Sequence, residues 1–152
     1  MMKNYLESFA RAATNVLAQI GSEGIEKGEY AIPEDMFCKH EVIIIIGLTQ
    51  DLRGSIAYSM SPSTAINIAS TMMGGMSIAE LDDMARSAMC EFVNMSVGVG
   101  VTALPQEIKV DITPPTMVIG HKMALMMGSY DVLLTSVTTP WGEIELRLGI
   151  EQ

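Results

Sequence analysis

Apolar positions recur at spacings of three and four near the start of the chain: Leu6, Phe9, Ala13, Val16, Leu17 and Ile20. They share one face of a helix over 3–20, closed by Gly21 and Gly24. Residues 22–38 are mixed and polar, with Pro33, and read as a connecting stretch. Val42, Ile43, Ile44, Ile45, Ile46 and Leu48 then form a β-branched run, which predicts a strand covered on both faces. A turn over 49–53 and a returning strand over 54–60 complete a hairpin. Ser61 and Pro62 are an N-cap and first-turn pair. They predict a helix over 62–73 that buries Ala65, Ile66, Ala69, Met72 and Met73 and stops at Gly74 and Gly75. A longer helix over 80–103 ends before Pro105. The remainder predicts strands at 107–112, 116–120, 122–127, 130–138 and 143–150. In the last, Ile144, Leu146, Leu148 and Ile150 alternate with Glu143, Glu145, Arg147 and Gly149, the period of a half-buried strand with one wet face. Pro140, Trp141 and Gly142 supply the turn before it.

These elements predict one α/β (α+β) domain over residues 1–152, with long helices packed on a mostly antiparallel sheet. A faint internal repeat runs through it. The helix at 3–20 with strands 42–48 and 54–60 parallels the helix at 80–103 with strands 122–127 and 130–138. Asn15 and Asn94 lie 79 positions apart, and Pro62 and Pro140 lie 78 apart. The halves then diverge, helix against strand.

Charge narrows the function. Nine Lys and Arg against eighteen Asp and Glu give a net charge of -9, unsuited to nucleic acid or an anionic membrane surface. Apolar residues make up 49% of the chain, enough for a sizeable core. The longest uncharged stretch, 54–79, is broken by Pro62, Asn67, Gly74 and Gly75, so it predicts no membrane span. The two cysteines, Cys38 and Cys90, make no disulfide framework, and no secretory signal is visible. The reading is a soluble, cytoplasmic protein.

On the long helix, Asp83, Ser87, Glu91, Asn94 and Gly98 fall within an arc of roughly 80° at about 100° per residue. Ala85, Ala88, Met89, Phe92, Met95 and Val99 form the predicted core face opposite. Most polar stripes are solvated faces. This one is short-chained and lacks the Lys and Glu pairs of a generic wet surface. Asn inside a helix competes with its own backbone for hydrogen bonds, and Gly there costs about 1 kcal/mol relative to Ala. Both ask for a reason, and close approach of another backbone is one reason for Gly98.

The run from Ser87 through Glu91 to Asn94, continuing Met95, Ser96, Val97 and Gly98, resembles the signature helix of the CheC/CheX phosphatase family of bacterial chemotaxis. Asp111, Ile112, Thr113, Pro114 and Pro115 resemble the family's proline-containing segment, here with the prolines 20 and 21 positions after Asn94. The order of elements matches across nearly the whole chain. The resemblance implies a CheC-like fold and a phosphatase for the phosphoaspartate of a CheY-like response regulator. Asn94 would position the attacking water, Glu91 would anchor the complex on the regulator's active-site lysine, and Asp83, Ser87 and Gly98 would line the docking face. The chain would bind no cofactor of its own, the Mg²⁺ belonging to the regulator. Ala12 stands where Glu91 stands in the repeat, although Asn15 matches Asn94, so a single site and the homodimer of the CheX branch are implied. The alternative is a non-catalytic CheX-like dimer that docks on a response regulator or a flagellar motor component.

Other residues read plainly. Cys38 and His40 could share one face of a strand, but with only Cys90 and His121 as distant company they suggest a partly buried thiol and a surface imidazole rather than a zinc site. The methionines, Met72, Met73, Met76, Met126 and Met127 among them, read as core filler first and as the lining of an adaptable interface second.

Overall fold

The computed structural model describes residues 1–127 and 131–151. Its order is α1 (Met2–Gln19), β1 (Glu26–Lys27), β2 (Val42–Gln50), β3 (Gly54–Met60), α2 (Pro62–Met72), α3 (Asp83–Thr102), β4 (Val110–Ile112), β5 (Thr116–Ile119), β6 (Asp131–Thr139) and β7 (Gly142–Ile150). Tyr130, the first residue of the predicted strand 130–138, lies outside the described residues. The strands form one sheet in the order β1-β6-β7-β3-β2-β4, with β5 also pairing β2. Every pairing is antiparallel.

Strand alternation sorts the core. Val42, Ile44, Ile46 and Leu48 of β2 join Ile56, Tyr58 and Met60 of β3 and Ile144, Leu146 and Leu148 of β7 beneath the helices. α1 and α3 lie against each other over this face, with α2 against α3. At the crossing, a Cβ added to Gly100 would stand 2.5 Å from Phe9 Cδ1, so glycine permits the close approach of the helices.

The opposite face is not the wet surface predicted from β7. Ile43 and Ala57 pack there with Cys38, Met123 and Leu125. Two extended stretches cover it, joined where Cys38 N–H donates to Met123 O at 2.9 Å and Leu125 N–H to Met36 O at 2.7 Å. Glu145 and Arg147, predicted to be solvated, are buried beneath and pair at 3.0 Å. Pairing is what lets two charges lie there. The predicted strand 122–127 is one of these covering stretches and, among the described residues, makes a single bridge, Phe37 with Ala124. The helix-then-hairpin order therefore recurs with β6 and β7 as the second hairpin. His40, read as a surface imidazole, has a side chain only 16% exposed, 3.6 Å from Glu143. Of the five methionines read as filler, only Met127 is buried. Among the described residues no helix is long and apolar enough to cross a membrane.

Candidate active site

The site is built along α3. Asp82, not residue 80, opens the helix: its carboxylate accepts the Ala85 N–H at 2.9 Å, and its extended backbone precedes the first turn. Arg86 donates to the Leu81 carbonyl at 2.6 Å and pairs with Asp83. The start of the helix is thus tied to its own polar side chains.

The rotation of α3 is set farther along. The Ser96 hydroxyl lies 2.5 Å from the Tyr58 hydroxyl, both fully buried, and Tyr58 meets the Phe92 ring edge-on at 6.4 Å. Burial pushes the Tyr58 phenol far up, against a smaller opposing pull from Ser96, so it stays neutral. The buried arc is Ala85, Met89, Phe92, Val93, Ser96, Val97 and Gly100. Met95 and Val99, expected in the core, are instead 36% and 41% exposed, and Ala88 is half-buried. The physical reason is that a hydrogen-bonded serine and a space-giving glycine occupy core positions that an apolar count passes over.

With the helix so turned, Glu91 is exposed and Asn94 half-buried. Ser87, Cys90, Glu91 and Asn94 form one wall of a cleft of about 500 Å³, and Ile112, Thr113, Pro114 and Pro115 form the other. The helix motif and the proline segment, separate in sequence, therefore face each other. The side-chain hydrogen bonds along this helix fall on Asp82, Asp83, Arg86, Ser96 and Thr102; among the described residues Glu91 and Asn94 have none. Both are left available to a partner.

The remaining expected positions separate. Asp83 lies in an adjoining depression with Arg86, Ser87, Cys90, Met117 and Ile119, its charge already met by Arg86. Gly98 lines neither hollow, and an added Cβ there would meet nothing within 4 Å, so among the described residues no backbone makes the close approach suggested for it. Cys90, which its sequence context marks only as a lone thiol, belongs to the cleft wall because it stands three residues from Ser87 and four from Asn94, on the same helical face. Burial pushes its thiol up, which keeps it a neutral wall at physiological pH. Among the described residues, no group of three or more His, Cys, Asp or Glu side chains is placed to hold a metal ion.

Helices on one face of an antiparallel sheet, with a Glu and an Asn one turn apart on the second long helix, make this a CheC-like α+β protein. The family model described as chemotaxis phosphatase CheX matches residues 42–134. A Thermotoga maritima protein named CheY-P phosphatase CheX is 42% identical over 112 residues, covering 73% of this chain and 71% of that one. The chain belongs to the CheX family. Among solved structures, a Desulfovibrio desulfuricans chemotaxis protein CheX superposes with a TM-score of 0.87 at 22% identity, covering 97% of this chain and 99% of that chain. The CheX of a CheX–CheY–BeF3–Mg²⁺ complex from Borrelia burgdorferi superposes with a TM-score of 0.81 at 28% identity, covering 97% and 98%.

Proposed function

We propose that this chain hydrolyses the phosphoaspartate of a CheY-like response regulator, with Asn94 and Glu91 inserted at the regulator's phosphorylation site. Membership of the CheX family, the 42% identical relative named CheY-P phosphatase and the Borrelia complex support the reading. The observation that carries it is the open cleft in which Glu91 and Asn94 face Pro114 and Pro115.

Phosphoaspartate is an acyl phosphate and already reactive; what it lacks is a water held in line with the bond to be broken. The water oxygen bonds to phosphorus as the bond to the aspartyl oxygen breaks, and the carboxylate leaves with the bonding pair. A neutral amide at Asn94 orients that water without adding negative charge beside the phosphoryl group. Glu91, exposed on the same face, takes a cationic group of the regulator as its partner. The Mg²⁺ is the regulator's and supplies charge neutralisation at the phosphoryl oxygens. Ser87 and Asp83 lie toward the N-terminal end of the docking face, and Gly98 toward its C-terminal end. A homodimer belongs to the same proposal and would help cover the edge strand β5, where Val118 and Ile119 are exposed. A cytoplasmic location goes with it.

The test is phosphate release from a phosphorylated response regulator, wild type against Asn94→Ala. The expected loss is about 10²–10³ in rate, with docking nearly intact, because the amide works mainly in the transition state. Wild type that fails to exceed spontaneous decay, while still binding the regulator, would replace the enzyme with a docking module. Equal acceleration by both proteins would place the chemistry elsewhere.

A further inference from the structure

The proline wall of the cleft is held by one side chain. β2 pairs β4 up to Leu48 with Ile112 and pairs β5 from Ile45 with Thr116. Between these registers, residues 113–115 stand opposite Ile46 and Gly47, three against two. This is a bulge in the edge of the sheet, of the kind that redirects a strand beside a functional site. Pro114 and Pro115 have no N–H to give a ladder, so the bulge needs another fastening. Thr113 provides it. Its N–H donates to Gly47 O at 3.0 Å, and its hydroxyl oxygen accepts the Gly47 N–H at 2.8 Å. That hydroxyl also donates to the Pro114 carbonyl at 3.1 Å. The side-chain oxygen thus takes the place of the carbonyl that a continuing strand would present, and it grips the first proline at the same time.

Gly47 is fitted to this contact. A Cβ there would lie 3.0 Å from Thr113 Cγ2 and 3.2 Å from Thr113 Oγ1, tighter than an ordinary side chain tolerates. The far end of β4 is fastened as well, where Asp51 accepts the Lys109 N–H at 2.8 Å and donates its own N–H to Lys109 O at 2.9 Å. The span between these two points carries Ile112 and Thr113 to the cleft.

We infer that Thr113 is a positioning residue of the dephosphorylation reaction: by fixing the bulge, its hydroxyl sets where the Pro114 and Pro115 wall stops an incoming regulator relative to Asn94. The inference rests on the function proposed above. A wall out of place by a fraction of an ångström misaligns the water while leaving most of the docking contacts intact, so the loss falls on kcat more than on KM.

The experiment compares Thr113→Val, which keeps the shape and loses the hydroxyl, with Thr113→Ser, which keeps the hydroxyl. Phosphate release from a phosphorylated response regulator is measured across regulator concentration. Amide exchange at Gly47 and the side-chain amide resonance of Asn94 are recorded on the same proteins. Thr113→Val is expected to lower kcat about tenfold with KM within about threefold, to speed exchange at Gly47 and to shift the Asn94 resonance. Thr113→Ser is expected to stay within about twofold of wild type. Wild-type kcat in Thr113→Val, an equal loss in both variants, or a loss confined to KM would overturn the positioning role while leaving the phosphatase reading in place. Wild type without activity overturns both. A Thr113→Val protein that no longer folds also counts against it, since the hydroxyl would then be serving the sheet rather than the cleft.

Discussion

α1 and α3 are long helices packed together over the same face of one sheet, yet they use their surfaces differently. α1 buries Leu6, Phe9, Ala10, Ala12, Ala13, Val16 and Leu17, an arc without a polar side chain. α3 buries Ser96 and Gly100 and leaves Met84, Met95 and Val99 exposed. Asn15 and Asn94, matched by the internal repeat, both escape full burial, but Ala12 is 2% exposed while Glu91 is open to solvent. The difference teaches that which side chains a helix leaves open is decided by rotation as much as by residue identity. α1 has turned the position matching Glu91 into its core.

The sharpest way to break this comparison is Ala12→Glu. A carboxylate at a buried apolar position costs about 3–5 kcal/mol when nothing pairs it, so the variant is expected to unfold at much lower urea concentration and to gain no second site. A stable Ala12→Glu protein whose activity survives Asn94→Ala would show that α1 can work as α3 does. Next come the two glycines of α3. Gly100→Ala forces Phe9 aside and is expected to destabilise by about 1–3 kcal/mol. Gly98→Ala meets open space and is expected to stabilise by about 0.5–1 kcal/mol. Thermal melts of the pair measure the contrast, and equal shifts would remove the helix crossing as its cause. Gly98→Leu should keep the fold and weaken docking on an immobilised regulator.

Ser96→Ala is expected to cost about 1–3 kcal/mol, because it strands the Tyr58 hydroxyl in the core. Adding Tyr58→Phe should recover part of that loss; strict additivity in the double variant would mean the two hydroxyls are not coupled. The smallest effect belongs to Met95→Ser. Expected in the core by periodicity but exposed in the fold, it should change stability by less than about 0.5 kcal/mol in the same melts. A loss of several times that would return Met95 to the core face predicted from its spacing.

What could be read from the chain follows the same division. The α1 face, the β2–β3 hairpin and the Ser61 cap on α2 were legible because apolar spacing and cap chemistry are local signals. The outward placing of Glu91 and Asn94 was legible from helical spacing, but that they face Pro114 and Pro115 across a cleft is seen only in the fold, because the two motifs are local and their meeting is not. The rotation of α3 was not legible, since Tyr58 lies 38 positions from Ser96 and a hydroxyl pair looks polar until both ends are seen. In α2, Ile68 rather than Ile66 is buried, a smaller error of the same kind. The covering stretch at 122–127 has strand-like composition but begins at Lys122, whose φ of 51° turns the backbone out of a ladder. Glu145 and Arg147 read as wet because nothing local announces the cover above them or the bond between them.

Two of the contacts that key α3 to its neighbours, Ser96 on Tyr58 and Gly100 on Phe9, lie on the C-terminal side of the Glu91 and Asn94 pair. This makes tolerance to changes in length lopsided. An extra residue in the connection over 73–81 is absorbed before Asp82 starts the helix, and the pair keeps its place on the cleft. An extra residue between Asn94 and Ser96 swings every upstream side chain by about 100°, which turns Met89 and Phe92 off the core and carries Glu91 and Asn94 away from the proline wall. Relatives that retain the chemistry should therefore vary in the approach to the helix and hold a constant count from Glu91 to Gly100.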